Sequence, residues 1–356
     1  MHRGSGGGSF GRRGLMGDDT DDVLHRAAAW RAEGHAVALA TVVRTWGSSP
    51  RPAGSKLAVN DRGEFVGSVS GGCIEGAVMH EARGIMAGAG PKLLEYGVSN
   101  EDAWEVGLAC GGRVQVYVEA VPVEGGTLEP LLRARLDQRP AVLVTQLASG
   151  AQTLAGLDEL AGPPAGERGA WFAEGARRAL TTDESLVVEG PEGEALIEPF
   201  NPPLRLIIVG AVHVAQPLSK MASEAGFSVV VVDPRKAFAS EERFPGVACV
   251  RSWPGEALAS LALDGRSAVV TLTHDPKLDD PALEAALRSP AFYVGCLGSQ
   301  KTHRARLERL GARGFDEASL ARLHGPVGLR IGAKTPAEIA ISVLAQVIER
   351  LRTGAP

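Results

Sequence analysis

Two cysteines stand beside paired glycines in this chain of 356 residues. In "GSVSGGCIEGAV" (67–78), Cys73 follows Gly71 and Gly72, and in "GLACGGRVQVYVE" (107–119), Cys110 precedes Gly111 and Gly112. Thiols so placed can ligate a metal, attack a substrate, pair as a disulfide or fill a core. The run from Cys73 to Met86 has helical character, which puts Cys73 at a helix start, where the dipole favours the thiolate. Gly71 and Gly72 can turn their N–H groups toward an anion. Cys110 offers a similar corner, although beside Leu108 and Ala109 it also suits an apolar core. The expectation is that both corners converge on one site, with Cys73 the better ligand. "WGSSPRPAGSK" adds Ser48, Ser49, Arg51, Ser55 and Lys56, a polar and cationic loop able to face the same ligand. Cys249 and Cys296 lie in strand-like apolar runs and read as structural. The lack of a C-x-x-C pair disfavours zinc, and the lack of a G-x-S-x-G elbow disfavours serine-hydrolase chemistry.

A second set of residues follows strands. After "LIIVG", the turn Gly210-Ala211-Val212-His213-Val214-Ala215 stands where a dinucleotide fingerprint would, and Asp233 ends the next strand at the separation of a ribose-binding acid. Val212 replaces the glycine that lets a pyrophosphate approach the backbone, so NAD(P) binding is weakened. His213 suits either an acid–base role or a structural one. His274 and Asp275 leave another strand's carboxyl end. Gly298, Ser299 and Lys301 leave a further one and suit a phosphate. The plainer alternative there is a glycine turn capped by Ser299, with a solvated basic helix behind it.

The elements that must carry these residues fall into successive stretches. Residues 1–19 read as a flexible N-terminal arm without the apolar core of a secretory signal. Residues 20–125 hold a helix with Val23, Leu24, Ala27, Ala28 and Trp30 on one face, a buried strand, a hairpin about Asn60–Gly63, the Cys73 helix and an alternating strand. Residues 126–200 form a weaker middle segment with a further hairpin. Pro199, Pro202 and Pro203 place a linker at its end, since proline does not sit inside a central strand. Residues 201–356 alternate apolar strands with helices, which indicates a covered parallel sheet. Thr335-Pro336-Ala337-Glu338 is a capping box for the last helix. The fold class is therefore α/β, a mixed N-terminal domain followed by a Rossmann-like one.

The formal net charge of −5 shows no basic surplus for coating nucleic acid. No apolar run is long enough for a membrane span. Four separated cysteines and no signal point to a reducing cytoplasm.

Taken in order, "ATVVRTWGSSPRPAGSKLAV", "GSVSGGCIEGAV", "GLACGGRVQVYVE", "LIIVGAVHVAQPL", "THDPKLDDPAL", "YVGCLGSQKTHRARL" and "GPVGLRIGAKTPAEIAISVLAQVI" resemble the XdhC/CoxI family of xanthine dehydrogenase accessory factors. The resemblance runs from about Val23 to Leu351 and lapses in the middle segment. It implies an XdhC/CoxI domain followed by a Rossmann-like domain, and an accessory protein rather than an enzyme. It further implies binding of molybdenum cofactor, its presentation to a cysteine desulfurase, and delivery to xanthine dehydrogenase or a related molybdenum hydroxylase. A homodimer is implied as well. Set against that cofactor, Cys73 is the candidate molybdenum ligand or else shapes the loop that meets the metal, and Gly71, Gly72, Cys110, Gly111, Gly112, Ser48, Ser49, Arg51 and the sheet-edge residues Gly210, His213, Asp233, His274, Gly298, Ser299 and Lys301 are the candidate cofactor contacts. Two departures stand out: Val212 where the family commonly has glycine, and Ser299-Gln300-Lys301 where its turn is more basic. Two alternatives remain, an NAD(P)-dependent oxidoreductase and a thiol-based sulfur or redox protein pairing Cys73 with Cys110.

Overall fold

The computed structural model describes residues 19–47, 51–97, 112–161, 167–190 and 192–354. The chain divides into two compact units, one over Gly17–Pro202 and one over Pro203–Pro356.

In the first unit, helix α1 (Asp19–Ala32) leads into β1 (Val37–Trp46), β2 (Lys56–Asn60) and β3 (Phe65–Gly67). Helix α2 (Glu75–Met86), β4 (Lys92–Tyr96) and β5 (Arg113–Ala120) follow. The strands form an antiparallel sheet in the order β3-β2-β1-β5-β4. The expected hairpin is present: the Asn60 side chain accepts from the N–H groups of Arg62 and Glu64 and so fixes the turn. One face of the sheet packs on Ile74, Val78, Ala82 and Ile85, the apolar side of α2 and its entry. The other meets Val23, Leu24, Ala27 and Trp30 of α1, at the spacing read from the sequence.

The same unit continues with α3 (Leu128–Leu136), β6 (Ala141–Gln146), β7 (Gln152–Gly156), α4 (Leu157–Ala161), α5 (Glu167–Thr182), β8 (Leu186–Gly190) and β9 (Gly193–Phe200). These strands make a second antiparallel sheet, ordered β7-β6-β9-β8. Pro199 overturns one expectation, because it lies within β9, a central strand, opposite Val142. It is tolerated because β8 reaches only to Ile197, so on that side Pro199 meets no ladder needing its N–H. The extended linker comes just after it, from Asn201 to Leu204.

The second unit contains β10 (Arg205–Val209), α6 (Ala215–Glu224), β11 (Ser228–Val232), β12 (Ala248–Val250), α7 (Pro254–Ser260) and β13 (Ser267–Thr271). It continues through α8 (Pro276–Leu287), β14 (Tyr293–Cys296), α9 (Gln300–Ala312), α10 (Glu317–Ala321), β15 (Leu323–His324) and α11 (Pro336–Thr353). All its strands are parallel, in the order β12-β11-β10-β13-β14-β15. That is the doubly wound Rossmann order, with its switch point between β10 and β13. Alternate strand residues pack on α6 and α11 on one face, and on α7, α8 and α9 on the other. Helix α11 begins with the expected capping box, Thr335 accepting from the Glu338 N–H while Glu338 accepts from the Thr335 N–H. Thr335→Ala is expected to cost about 1 kcal/mol, read as a lower midpoint in chemical denaturation of the full chain.

Candidate functional site

Among the described cysteines only Cys73 is exposed. The loop that carries it joins β3 to α2, with Ser70 buried on one side and Ile74 on the other. Its backbone is organised about one carboxylate. Glu75 Oε1 accepts from the Ser68 hydroxyl at 2.6 Å and from the N–H groups of Val69 and Ser70 at 3.1 and 2.9 Å. Glu75 Oε2 accepts from the Ser70 hydroxyl at 2.6 Å and the Gly72 N–H at 3.0 Å. The Ser68 oxygen takes the Gly71 N–H, and the Ser70 oxygen takes those of Cys73 and Ile74. Gly71 and Gly72 lie at φ 79° and 117°, in the region where a Cβ is strained, which lets the chain wrap the carboxylate.

The anion this loop holds is therefore its own. Both glycine N–H groups expected to face an external anion are already engaged inside the loop. Burial alone would raise the Glu75 carboxyl, but the hydrogen bonds from Ser68 and Ser70 outweigh it and bring its pKa down to about 2. Sequence reasoning passed over Glu75; its signal was an acidic first helical residue following a serine- and glycine-rich turn.

The remaining N-terminal residues divide. Ser48, Ser49, Cys110 and Gly111 lie outside the described residues. Gly112 is buried just ahead of β5, and Arg51 is half-buried. Trp46 and Arg113, from which the chain runs toward residues 48–49 and 110–111, are paired neighbours on β1 and β5. Gly67, where the Cys73 loop departs, pairs with Leu57 beside Lys56, and Lys56 pairs with Thr41. The three segments thus leave one end of the five-stranded sheet. Trp46 is exposed there, with the Arg113 guanidinium 5.2 Å from its ring centroid.

Lys56 does not join them. Its side chain is 3% exposed and points inward, with Nζ 2.7 Å from Glu198 and 2.8 Å from the Thr41 hydroxyl. Ser55 is buried too. Among the described residues no group of three or more His, Cys, Asp or Glu could hold a metal ion.

In the second unit the expected residues gather at the carboxyl edge of the parallel sheet. Gly210 follows β10 with φ 104°, and a Cβ there would come within 2.4 Å of Thr273 Cγ2 beyond β13. His213 is exposed and Val212 packs against the core beside α6. Asp233 is fully buried, its carboxylate taken by the Ala211 N–H at 2.9 Å and by the backbone and guanidinium of Arg235 at 2.7 to 2.9 Å. Burial works against its charge, yet these bonds hold its carboxyl below the usual range. An acid so held braces the turn and is not offered to a ribose hydroxyl.

His274 is exposed at φ 62°, an uncommon conformation for a side-chain-bearing residue. Asp275 caps α8 by accepting from the Lys277 N–H. Beyond β14, Gly298 leads to Ser299, which caps α9, and Lys301 is exposed. The helix behind is not simply solvated. Arg306 is 2% exposed and donates to Cys296 Sγ at 2.9 Å, the Leu297 carbonyl at 3.2 Å and Asp279 at 3.3 Å. Cys296 is fully buried, which pushes its thiol up to about 11. Both features fit a structural role.

A mixed antiparallel unit that presents a braced thiol, followed by a unit of Rossmann order, defines a recognisable class. Residues 30–97 match the XdhC and CoxI family, and residues 206–347 match the XdhC Rossmann domain. The chain belongs to the XdhC and CoxI family. It is 28% identical over 335 residues to the molybdenum cofactor insertion chaperone PaoD of Escherichia coli, covering 94% of this chain and 89% of that one. It is also 28% identical over 316 residues to a probable xanthine dehydrogenase component of Bacillus subtilis, covering 87% and 92%. Among solved structures, one described as a xanthine dehydrogenase from Bacillus halodurans matches with a TM-score of 0.73 at 25% identity, covering 95% of this chain and 97% of that one. Among the described residues no helix is long and apolar enough to cross a membrane.

Proposed function

We propose that this protein carries molybdenum cofactor as cargo and delivers it to a xanthine dehydrogenase or a related molybdenum hydroxylase, acting as an accessory protein rather than a catalyst. The observation that carries the reading is the exposed Cys73 thiol on a loop whose backbone is locked around Glu75. A thiolate suits a soft, thiophilic metal centre. The names of the relatives from Escherichia coli and Bacillus subtilis support the same direction.

The cargo's parts have different claims on the site. Cys73 is assigned to the metal end. The exposed Trp46 ring, with Arg113 over it, offers a face on which a flat pterin can stack. Gly71 and Gly72 shape the loop and do not hold the cargo's phosphate, because their N–H groups are engaged. We assign that phosphate to Arg51, in the connection that leaves the same end of the sheet. Ser48, Ser49, Cys110, Gly111 and Gly112 complete the proposed set. In the second unit, Gly210, His213, His274, Gly298, Ser299 and Lys301 form an open edge to which we assign anion binding of its own. Asp233 braces that edge. Hydride transfer with NAD(P) is disfavoured by the engaged Asp233 and by Val212.

On this reading the partners include a cysteine desulfurase, the client enzyme and a second copy of the chain, in the cytoplasm. We divide the chain into an arm (1–19), an XdhC/CoxI domain (20–125), a middle segment (126–200) and a Rossmann-like domain (201–356). Protein purified from a cofactor-producing host should contain molybdenum and yield a fluorescent pterin on oxidation. Protein free of both, and unable to take up cofactor when supplied, would overturn the reading.

A further inference from the structure

Helix α11 buries one side and leaves a second apolar side bare. Ala340, Val343, Leu344 and Val347 pack into the core of the second unit. Ile341 and Ile348 are not among them and stand 49% and 38% exposed. Among the described residues the other helices show at most one large exposed hydrophobic side chain each, Leu136 on α3 and Leu157 on α4. The loop before α11 is tied to it by the Ser342 hydroxyl, which donates to the Leu329 carbonyl at 2.7 Å. That loop adds exposed Ile331 beside the first half of the helix.

The bare side has a regular order. Glu338, Ile341, Ala345, Ile348 and Arg352 follow one another at steps of three, four, three and four residues. That is the seam spacing by which two helices pack along their length. Ala345 stands in the middle, and a small side chain at a crossing lets two helices approach closely. The isoleucines flank it, and a charge of opposite sign closes each end. Glu338 Oε2 accepts the Lys334 and Thr335 N–H groups of the cap, so Oε1 takes no part in those bonds. Arg352 is exposed in the last turn.

This order is complementary to itself. Turned about a two-fold axis at Ala345, a second α11 runs antiparallel and sets Ile348 beside Ile341 and Arg352 beside Glu338, twice over. A parallel pair would set Glu338 on Glu338 and Arg352 on Arg352, which the repulsion of like charges opposes. The antiparallel pair also brings the N-terminal end of each helix dipole near the C-terminal end of the other.

We propose that this face of α11 is the contact between two copies of the chain, packed antiparallel about Ala345. The proposal rests on the reading above that a second copy is among the partners, and it supplies the surface. Sedimentation of the full chain between about 1 and 100 µM should show a dimer forming within that range. Ile341→Glu and Ile348→Glu should each weaken it at least about a hundredfold, because two-fold symmetry counts each buried side chain twice. Both should keep the parent's circular dichroism, since both positions are exposed in the single chain. Glu338→Arg and Arg352→Glu should each weaken the dimer about tenfold or more, by placing like charges at both ends. Mixing those two variants should restore the parent's affinity, because each chain then meets opposite charges on the other. The isoleucine variants leave the capping box intact and decide the question alone if Glu338→Arg frays the helix start. The proposal is overturned if the parent stays monomeric at about 100 µM, or if both isoleucine variants dimerise normally. It is also overturned if the mixed charge variants, each with the parent's circular dichroism, associate no more tightly than either alone. A monomeric parent would also remove the second copy from the partners, whereas a dimer indifferent to the isoleucines would move only its interface. Neither result touches the Cys73 cargo, which is read from molybdenum and pterin content.

Discussion

Cys73→Ala protein, purified from a cofactor-producing host, is expected to lose at least about nine-tenths of its molybdenum and its oxidised-pterin fluorescence. Its stability should stay within about 0.5 kcal/mol of the parent, as for surface substitutions away from special features. The expectation rests on separating the thiol from the loop. The loop's hydrogen bonds run through Glu75, Ser68, Ser70 and backbone N–H groups, and Cys73 contributes only its own N–H, which alanine retains. The thiol is exposed, so removing it opens no core cavity. A metal–thiolate contact is worth much more than the few contacts of an exposed methylene, and losing it should register mainly as faster release of cargo. Cys73→Ser keeps the size and changes the softness, so it should resemble alanine if sulfur binds the metal. A full load of both molybdenum and pterin on Cys73→Ala protein would remove Cys73 from the site. A full pterin load without molybdenum would instead identify Cys73 as a metal ligand and place the ring elsewhere, as Trp46→Ala would then test.

Regular elements were legible in the sequence because their signals are local. The capping box at Thr335, the α1 face and the strand–helix alternation after Leu204 each lie within one element or its neighbour. What the side chains do at the site is less local. Lys56 reads as a ligand-facing cation beside Arg51, yet its partner Glu198 is 142 positions away on β9. No pattern near Lys56 announces that pairing. Asp233 has the spacing of a ribose acid, but Arg235, two residues later, can fold back on it. Pro199 looks like a break because proline's restriction is stated for whole strands, while tolerance depends on where the neighbouring strand stops. The Gly71–Gly72 pair is the most instructive case. Glycines that free N–H groups for an anion do so equally for an internal carboxylate, and Glu75 is the nearest one.

Glu75→Ala should accordingly be among the most disruptive changes in the first unit. It leaves the Val69, Ser70 and Gly72 N–H groups and two serine hydroxyls without their acceptor. Buried donors so abandoned cost about 1–3 kcal/mol each before relaxation; because water reaches part of this loop, a total of about 3–5 kcal/mol is expected. Glu75→Gln keeps the shape but turns an acceptor into a donor beside Gly72, and should cost about 1–3 kcal/mol. The pH dependence carries the same information. The folded pKa is about 2, below the ordinary 4.5, so the carboxylate's contribution is fully present above about pH 4.5 and is lost as pH falls toward 2. Denaturation midpoints taken across that range should fall more steeply for the parent than for Glu75→Gln. Amide exchange at Val69, Ser70 and Gly72 should accelerate over the same interval, since each N–H bonds directly to the carboxylate. Equal slopes in parent and variant would mean that Glu75 is not the group that orders the loop. If the slopes differ but Glu75→Gln protein keeps its full cargo, then the thiol does not need a rigid loop to hold the metal. Loss of both would tie the buried carboxylate to the presentation of Cys73.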